Sequence, residues 1–191
     1  NPANPYAGRD PRFYSAIFYN NVQAKKKNTG VLMYTFENWA NGKDAAGVTS
    51  NNSLTNYYIK KFVYMGLNWS DASIGRLPHS KFLIRWAHMC LTFAEAANHV
   101  VGPTDAARYG ISAKTAIQYL RARKTTDGAN GISPAVPGAS DAYLTEVAGS
   151  GEAAFDALVT NERRIEPCFD GMRFYDLRRW TTDLHDLNNS V

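Results

Sequence analysis

The most hydrophobic stretch of the chain runs from Phe82 to Val101 and stops at Gly102-Pro103. It predicts a helix from about Ser80 to Val101, roughly 30 Å long at 1.5 Å rise per residue. Glycine accepts the terminating geometry and proline cannot continue the helix. Arg85, His88, Glu95, Asn98 and His99 interrupt the stretch, too many polar groups for a bilayer-spanning helix, so no segment is expected to cross a membrane. The helix must instead bury one face against other elements.

Thr104-Asp105 predicts a capped turn through Ala107. Ser112 predicts the cap of a second helix to about Lys124, with Ile117, Tyr119 and Leu120 as its apolar face. These two form a helical hairpin. After a Gly/Pro-rich loop from Thr125 to Gly138, either Ser140-Asp141 or Ser150 can cap the next element. Glu152 to Glu166 reads as a strong helix, with Phe155, Leu158, Val159, Glu162 and Ile165 or Glu166 at three- and four-residue spacing, stopped or kinked by Pro167. Phe169-Asp170-Gly171 predicts a turn. A last helix from Met172 to about Trp180 puts Phe174, Leu177 and Arg178 on one side, and the polar tail frays.

The first 79 residues read differently. Pro2, Pro5 and Pro11, with Asn, Gly and Asp between them, predict loop. Arg12 to Tyr19 fits a short strand or a helical turn, Val31 to Phe36 a short strand, and Tyr57 to Val63 an extended segment. Between them lies a long Asn-, Gly-, Thr- and Lys-rich excursion, of the length that is commonly functional, and Trp39 with its aromatic neighbours argues against disorder. The chain is thus expected to have a loop-rich part (1–79), a helical part (80–180) and a tail (181–191), with no strict internal repeat.

The 191 residues are 45% hydrophobic and 20% charged, with a net charge of +4 and the cations scattered apart from 25–27 and 60–61. That excludes low-complexity disorder and argues against a nucleic-acid-binding stripe. Two cysteines, Cys90 and Cys168, cannot build a disulfide scaffold, and both are expected to be buried hydrophobes. Eleven Tyr, nine Phe and four Trp exceed what such a core usually needs, a hint that some face a ligand or partner.

No nucleophile or phosphate-binding motif is present, and no catalytic residue or cofactor is assigned. His88, Glu95 and His99 lie near one line on the first helix, but His88 is about 10 Å from the other pair at 1.5 Å per residue, too far to share an ion. The favoured reading is structural: histidines satisfied by hydrogen bonds and a glutamate paired with an arginine, with no metal. What remains is binding. Saccharides are held by aromatic faces with Asn, Asp, Gln or Lys at their hydroxyls, and peptides by aromatic grooves. Tyr34, Phe36, Asn38, Trp39 and Asn41 suit either, as does Trp69 beside Asn68 and Asp71. The competing reading is that Trp39 and Trp69 merely fasten their loops.

Several blocks carry a resemblance. Asn4 to Tyr14, Tyr57 to Phe62, Phe93-Ala94-Glu95-Ala96 and Leu120-Arg121-Ala122-Arg123 come in order, followed by Asn161-Glu162-Arg163-Arg164-Ile165-Glu166 and Phe169-Asp170-Gly171-Met172-Arg173-Phe174-Tyr175-Asp176-Leu177-Arg178-Arg179-Trp180. In order and spacing they resemble the C-terminal portion of the SusD/RagB family. The resemblance implies a mainly α fold, with tetratricopeptide-like helix pairs carrying long irregular loops and a few short strands. It implies a non-catalytic surface lipoprotein of the Bacteroidetes outer membrane that captures glycans, or in some branches peptides, as the lid of a SusC-like TonB-dependent transporter. The turn-rich opening, without an initiator Met or signal peptide, reads as the middle of a longer protein, and the resemblance puts the lipid anchor and most repeats upstream. A module devoted only to contact with the transporter is a further alternative.

Glu162, Arg163, Arg164, Glu166, Gly171, Arg173, Asp176, Arg179 and Trp180 form the closing signature. Interleaved carboxylates and arginines suit a partly buried ion-pair network that locks the last helices together. The family's ligand contacts fall in variable loops, so the choice of Trp39, Tyr34, Phe36, Asn38, Asn41 and Trp69 rests on local reading alone. Pro167 departs from the family pattern, where an aliphatic residue continues the helix.

Overall fold

The structure is a computed structural model that describes residues 4–25, 33–63, 82–122 and 141–181. These fall into two units, the first within 4–63 and the second within 82–181. The fold is mainly helical, with a few short strands.

The first unit is built from short elements. Helix α1 (Pro11–Ala16) starts where Asp10 accepts a hydrogen bond from the backbone of Arg12 at 2.8 Å, and Pro11 supplies the first turn, where its missing N–H costs nothing. It leads directly into β1 (Ile17–Phe18), so Arg12 to Tyr19 is a helical turn followed by a strand. Strands β2 (Gln23–Lys25) and β3 (Met33–Thr35) pair antiparallel, Ala24 opposite Tyr34. Strand β4 (Tyr58–Ile59) pairs antiparallel with β1, Phe18 opposite Tyr58.

Sheets this small cannot hold themselves together, and aromatic rings do so instead. Phe18 is buried and stacks on Phe36 at 4.5 Å, and Phe36 touches Tyr34 at 5.1 Å and Tyr58 at 5.6 Å. A second group joins Tyr6, Phe13, Tyr14 and Tyr19, with Tyr57 edge-on to Tyr6. Much of the aromatic surplus in the composition therefore goes into ring contacts within this unit, with Phe18 buried and most of the other rings half-buried.

The second unit contains α2 (Trp86–Val101), α3 (Ala113–Arg121), α4 (Ala142–Gly149), α5 (Glu152–Ile165) and α6 (Met172–Trp180). Helix α2 packs on α3 and α5, and α4 on α3 and α5, so the expected hairpin of the first two long helices forms. Its core consists of small and branched residues around Leu91, Ile117, Leu120, Leu144, Phe155 and Val159. Phe155 alone supplies an aromatic ring to that buried cluster. Alanines along α2, at 87, 94 and 97, let the helices approach closely.

Several boundaries differ from expectation. Helix α2 begins at Trp86 rather than near Ser80: Phe82, Leu83 and Ile84 are non-helical and exposed, and Arg85 is extended. The backbone N–H of Arg85 donates to His88 Nδ1 at 3.4 Å, which fixes the start there. Its end is as read, at Gly102, with φ of 82° and its N–H on the Asn98 carbonyl. Helix α3 is capped by Ser112 as expected and closes at Ala122. Tyr119 is half-exposed rather than part of its apolar face, because Ala116, Ile117 and Leu120 already fill the core side.

Asp141 caps the start of α4, whereas α5 starts from Gly151 at φ of 97°, so Ser150 is no N-cap and instead closes α4, its N–H on the Glu146 and Val147 carbonyls. The α5 face matches the expected spacing, with Glu166 rather than Ile165 in the buried last position. Helix α6 departs most. Phe174 is exposed and Asp176 is its buried residue, so this helix docks through charge rather than an apolar face. Cys90 is buried as expected, but Cys168, in the turn after Pro167, is only half-buried. The loop read over 125–138 and the tail from 182 lie outside the described residues. Among the described residues no helix is long and apolar enough to cross a membrane.

Phe155 is fully buried where α5 meets the core. Phe155→Ala is expected to cost about 3–5 kcal/mol, cavity included, read as a lower urea midpoint with an unchanged slope.

Candidate binding site

Of the residues singled out for ligand contact, Tyr34 lies in β3 and Phe36, Asn38, Trp39 and Asn41 on the turn that follows it. Gly42 N–H donates to the Trp39 carbonyl at 2.8 Å and Asp44 N–H to the Glu37 carbonyl at 3.1 Å, which closes the turn. Asn41 adopts φ of 67° and Gly42 lies so close to Glu37 that an added Cβ would fall 2.2 Å from its carbonyl oxygen. The Asn-Gly pair is thus required by the backbone.

Side chains then fix the turn to the unit. Asp44 is nearly buried and its carboxylate accepts from the Tyr34 hydroxyl and, at 2.9 Å, from Glu37 N–H. Burial, followed by the bond to anionic Asp44, pushes the Tyr34 pKa up, so that phenol remains a neutral donor. Asn38 is buried: its N–H donates to Asn20 Oδ1 at 3.0 Å and its amide to the Asn56 carbonyl at 2.5 Å. Asn56 holds φ of 61° and accepts from Ala46 N–H at 2.6 Å.

Trp39 stands apart from these. Its side of the turn is open, the residue is 46% exposed, and among the described residues no ring stacks on its indole. Around it are exposed Asn41 and Lys43, the latter 3.1 Å from Glu37 and 4.6 Å from the Tyr34 ring centre. The structure therefore brings Tyr34, Phe36, Asn38, Trp39 and Asn41 together, with Tyr34, Phe36 and Asn38 facing inward as supports and Trp39 and Asn41 facing out. Trp69, Asn68 and Asp71 lie outside the described residues. Sequence reading passed over Asp44, Asn20 and Asn56, which carry the turn; nothing in their spacing marks them.

The closing signature forms a second constellation, in the helical unit. Glu95 of α2 accepts hydrogen bonds from both terminal nitrogens of Arg179 and from Trp180 Nε1 at 2.9 Å. Arg163 Nε lies 2.7 Å from the same carboxylate, without the alignment of a hydrogen bond. Arg163 also reaches Asp176 at 3.3 Å and Thr92 at 2.9 Å, and Arg179 reaches Asp176 at 2.9 Å. Burial works to raise the Glu95 pKa, but the hydrogen bonds of Arg179 and Trp180 and the charges of Arg163 and Arg179 outweigh it and hold it at about 2.

Glu162 is buried against Arg121 at 2.7 Å, and Arg121 also pairs with Asp141, the cap of α4. Glu166 is buried, Gly171 takes φ of 81° to start α6, and Arg173 lies over the Trp180 ring rather than on Asp176. Arg164 is exposed and takes no part. The network expected within the last helices exists, but its centre is Glu95 on the earlier helix α2.

The three residues weighed as metal ligands each have separate partners: Glu95 those arginines, His99 Glu152 at 2.9 Å and Asp156 at 3.2 Å, and His88 Asp170 at 3.3 Å. A cleft of about 470 Å³ opens beside Glu95 between α2, α5 and α6, and its charges are mutually paired.

Compared with known families, residues 1–190 match the model of the SusD family. The chain belongs to the SusD family. Curated proteins and solved structures give no match. SusD-family proteins capture nutrients, are generally non-catalytic, and work with a transporter partner in association with the cell surface. A rigid helical unit and a loop-rich unit bearing an exposed tryptophan suit that general role.

Two measurements check this geometry. The Glu95 pKa is depressed on folding, so its stabilisation is complete above about 4.5 and is lost as pH falls toward 2, a contribution of about 3 kcal/mol. Glu95→Gln is expected to lower the neutral-pH unfolding free energy by about 3–5 kcal/mol and to flatten that part of the acid unfolding curve. Asp44→Ala strips partners from the Tyr34 hydroxyl and Glu37 N–H and is expected to cost about 1–3 kcal/mol, with faster amide exchange confined to residues 34–46.

Proposed function

We propose that this SusD-family chain captures nutrient glycans at the cell surface and passes them to a SusC-like TonB-dependent transporter, in a protein held at the outer membrane by a lipid anchor. The observation that carries the glycan reading is Trp39: a half-exposed indole on a turn whose backbone is pinned by Asp44, Asn38 and Gly42. A flat aromatic side chain on a backbone that is already fixed has less freedom to lose when a sugar stacks on it. Exposed Asn41 and Lys43, with half-buried Glu37, supply donors and acceptors nearby for ring hydroxyls. Tyr34 and Phe36 act as the platform beneath. Trp69 is proposed as a further contact on its sequence context alone.

Titration calorimetry of the full-length mature protein against soluble oligosaccharides and peptide digests tests this reading. Saturable heat with one glycan class is the expected result. Trp39→Ala is expected to raise Kd about thirtyfold, the ~2 kcal/mol typical of an aromatic anchor, with an unchanged thermal midpoint and intact assembly with the transporter. Heat with peptides alone would replace the glycan reading with peptide capture. Lost assembly with no ligand heat would make Trp39 an interface residue.

A further inference from the structure

The loop-rich unit also has a concave surface whose lining does not include Trp39. A cleft of about 480 Å³ is lined by Asn4, Pro5, Tyr6, Tyr19, Asn20 and Asn21, within the size range of small-molecule sites. None of its lining side chains is charged. The lining itself offers hydrogen bonds rather than charge, and the guanidinium of Arg9 at its edge is already held on the Pro5 carbonyl at 3.2 Å and over the Phe13 ring, which suits a neutral polar ligand.

The aromatic wall is rigid. Tyr6 and Tyr19 lie 4.5 Å apart, Tyr57 stands edge-on to Tyr6, and Phe13 and Tyr14 back Tyr19. Burial raises the pKa of both phenols, and the Tyr6 hydroxyl is already hydrogen-bonded to Tyr57 and the Asn20 backbone. The amides are half-committed. Asn4 Oδ1 accepts from Tyr6 N–H at 3.1 Å and Asn20 Oδ1 from Asn38 N–H at 3.0 Å. Their Nδ2 groups, and the whole Asn21 side chain, make no hydrogen bond among the described residues. Asn21 is held at φ of 64°, its N–H on the Phe36 carbonyl at 2.8 Å. Idle amide donors thus line the cleft beside two aromatic rings.

We propose that this cleft takes a neutral sugar ring, its C–H surface against Tyr6 and Tyr19 and its hydroxyls accepting from the amides of Asn4, Asn20 and Asn21. The assignment rests on the glycan reading for its ligand class and adds a second contact point. Asn20 holds the backbone of Asn38 and Asn21 that of Phe36, so the rim of the cleft is fastened to the strand-and-turn segment that carries Trp39. A saccharide that reaches both would bind by two linked contacts.

Side-chain NMR of the full chain tests it, with glucose, galactose, mannose and xylose as probes, each free and as a soluble oligosaccharide. The readouts are the Nδ2 protons of Asn4, Asn20 and Asn21 and the indole N–H of Trp39. Saturable shifts at the asparagine amides are expected. Asn21→Gly keeps the left-handed backbone and is expected to weaken oligosaccharide binding about three- to tenfold with an unchanged thermal midpoint, whereas Tyr19→Phe keeps the ring that meets the sugar and is expected to leave binding unchanged. Shifts at Trp39 with silent asparagine amides would overturn the cleft and leave the glycan reading standing. Shifts at the asparagines with Trp39 silent would support the cleft and remove Trp39 from the site. Silence at both, for every saccharide, would overturn both.

Discussion

Glu95 sits where α2, α5 and α6 meet, and a carboxylate is tolerable there only because Arg163, Arg179 and Trp180 reach it. The helical unit is organised around that requirement. Helix α6 leaves its apolar residues half-buried or exposed, and the pairing of Asp176 and Arg179 with α5 and α2 gives it a place. Arg121 does the same for α3, α4 and α5 by joining Asp141 to Glu162. Ion pairs of this kind add directional constraints to a core of alanine and leucine, which by itself would permit several helix registers.

In the loop-rich unit, amides and one carboxylate do what arginines do among the helices. A turn with little regular structure leaves its backbone groups unpaired unless side chains satisfy them. Asp44, Asn38, Asn20, Asn52 and Asn56 supply those bonds. The aromatic groups exclude water from around them. The result is a surface loop whose outward residues are free to serve a ligand because its inward residues hold the shape.

That division explains what could be read from the sequence. The helices α3 and α5, the Gly102 stop and the Ser112 and Asp141 caps follow from local periodicity and capping chemistry, which act within a few residues. The family signature was legible for the same reason, as blocks in order. The start of α2 was not, because apolar Phe82, Leu83 and Ile84 extend the pattern past the point where Arg85 turns out of the helix. Nor was the outward face of α6, since Phe174 looks like core until the buried partner proves to be Asp176.

The sequence by itself determined the helical class, the family and the segment that holds Trp39, since propensities, caps and motif order are local properties. Only the tertiary structure decided which arginine neutralises which carboxylate, and which of Tyr34, Phe36, Asn38 and Trp39 supports the turn or faces outward. Those choices depend on pairs of residues far apart in the chain, such as Glu95 with Arg179 and Asn20 with Asn38. Burial and charge pairing act between such residues only once the chain has brought them together.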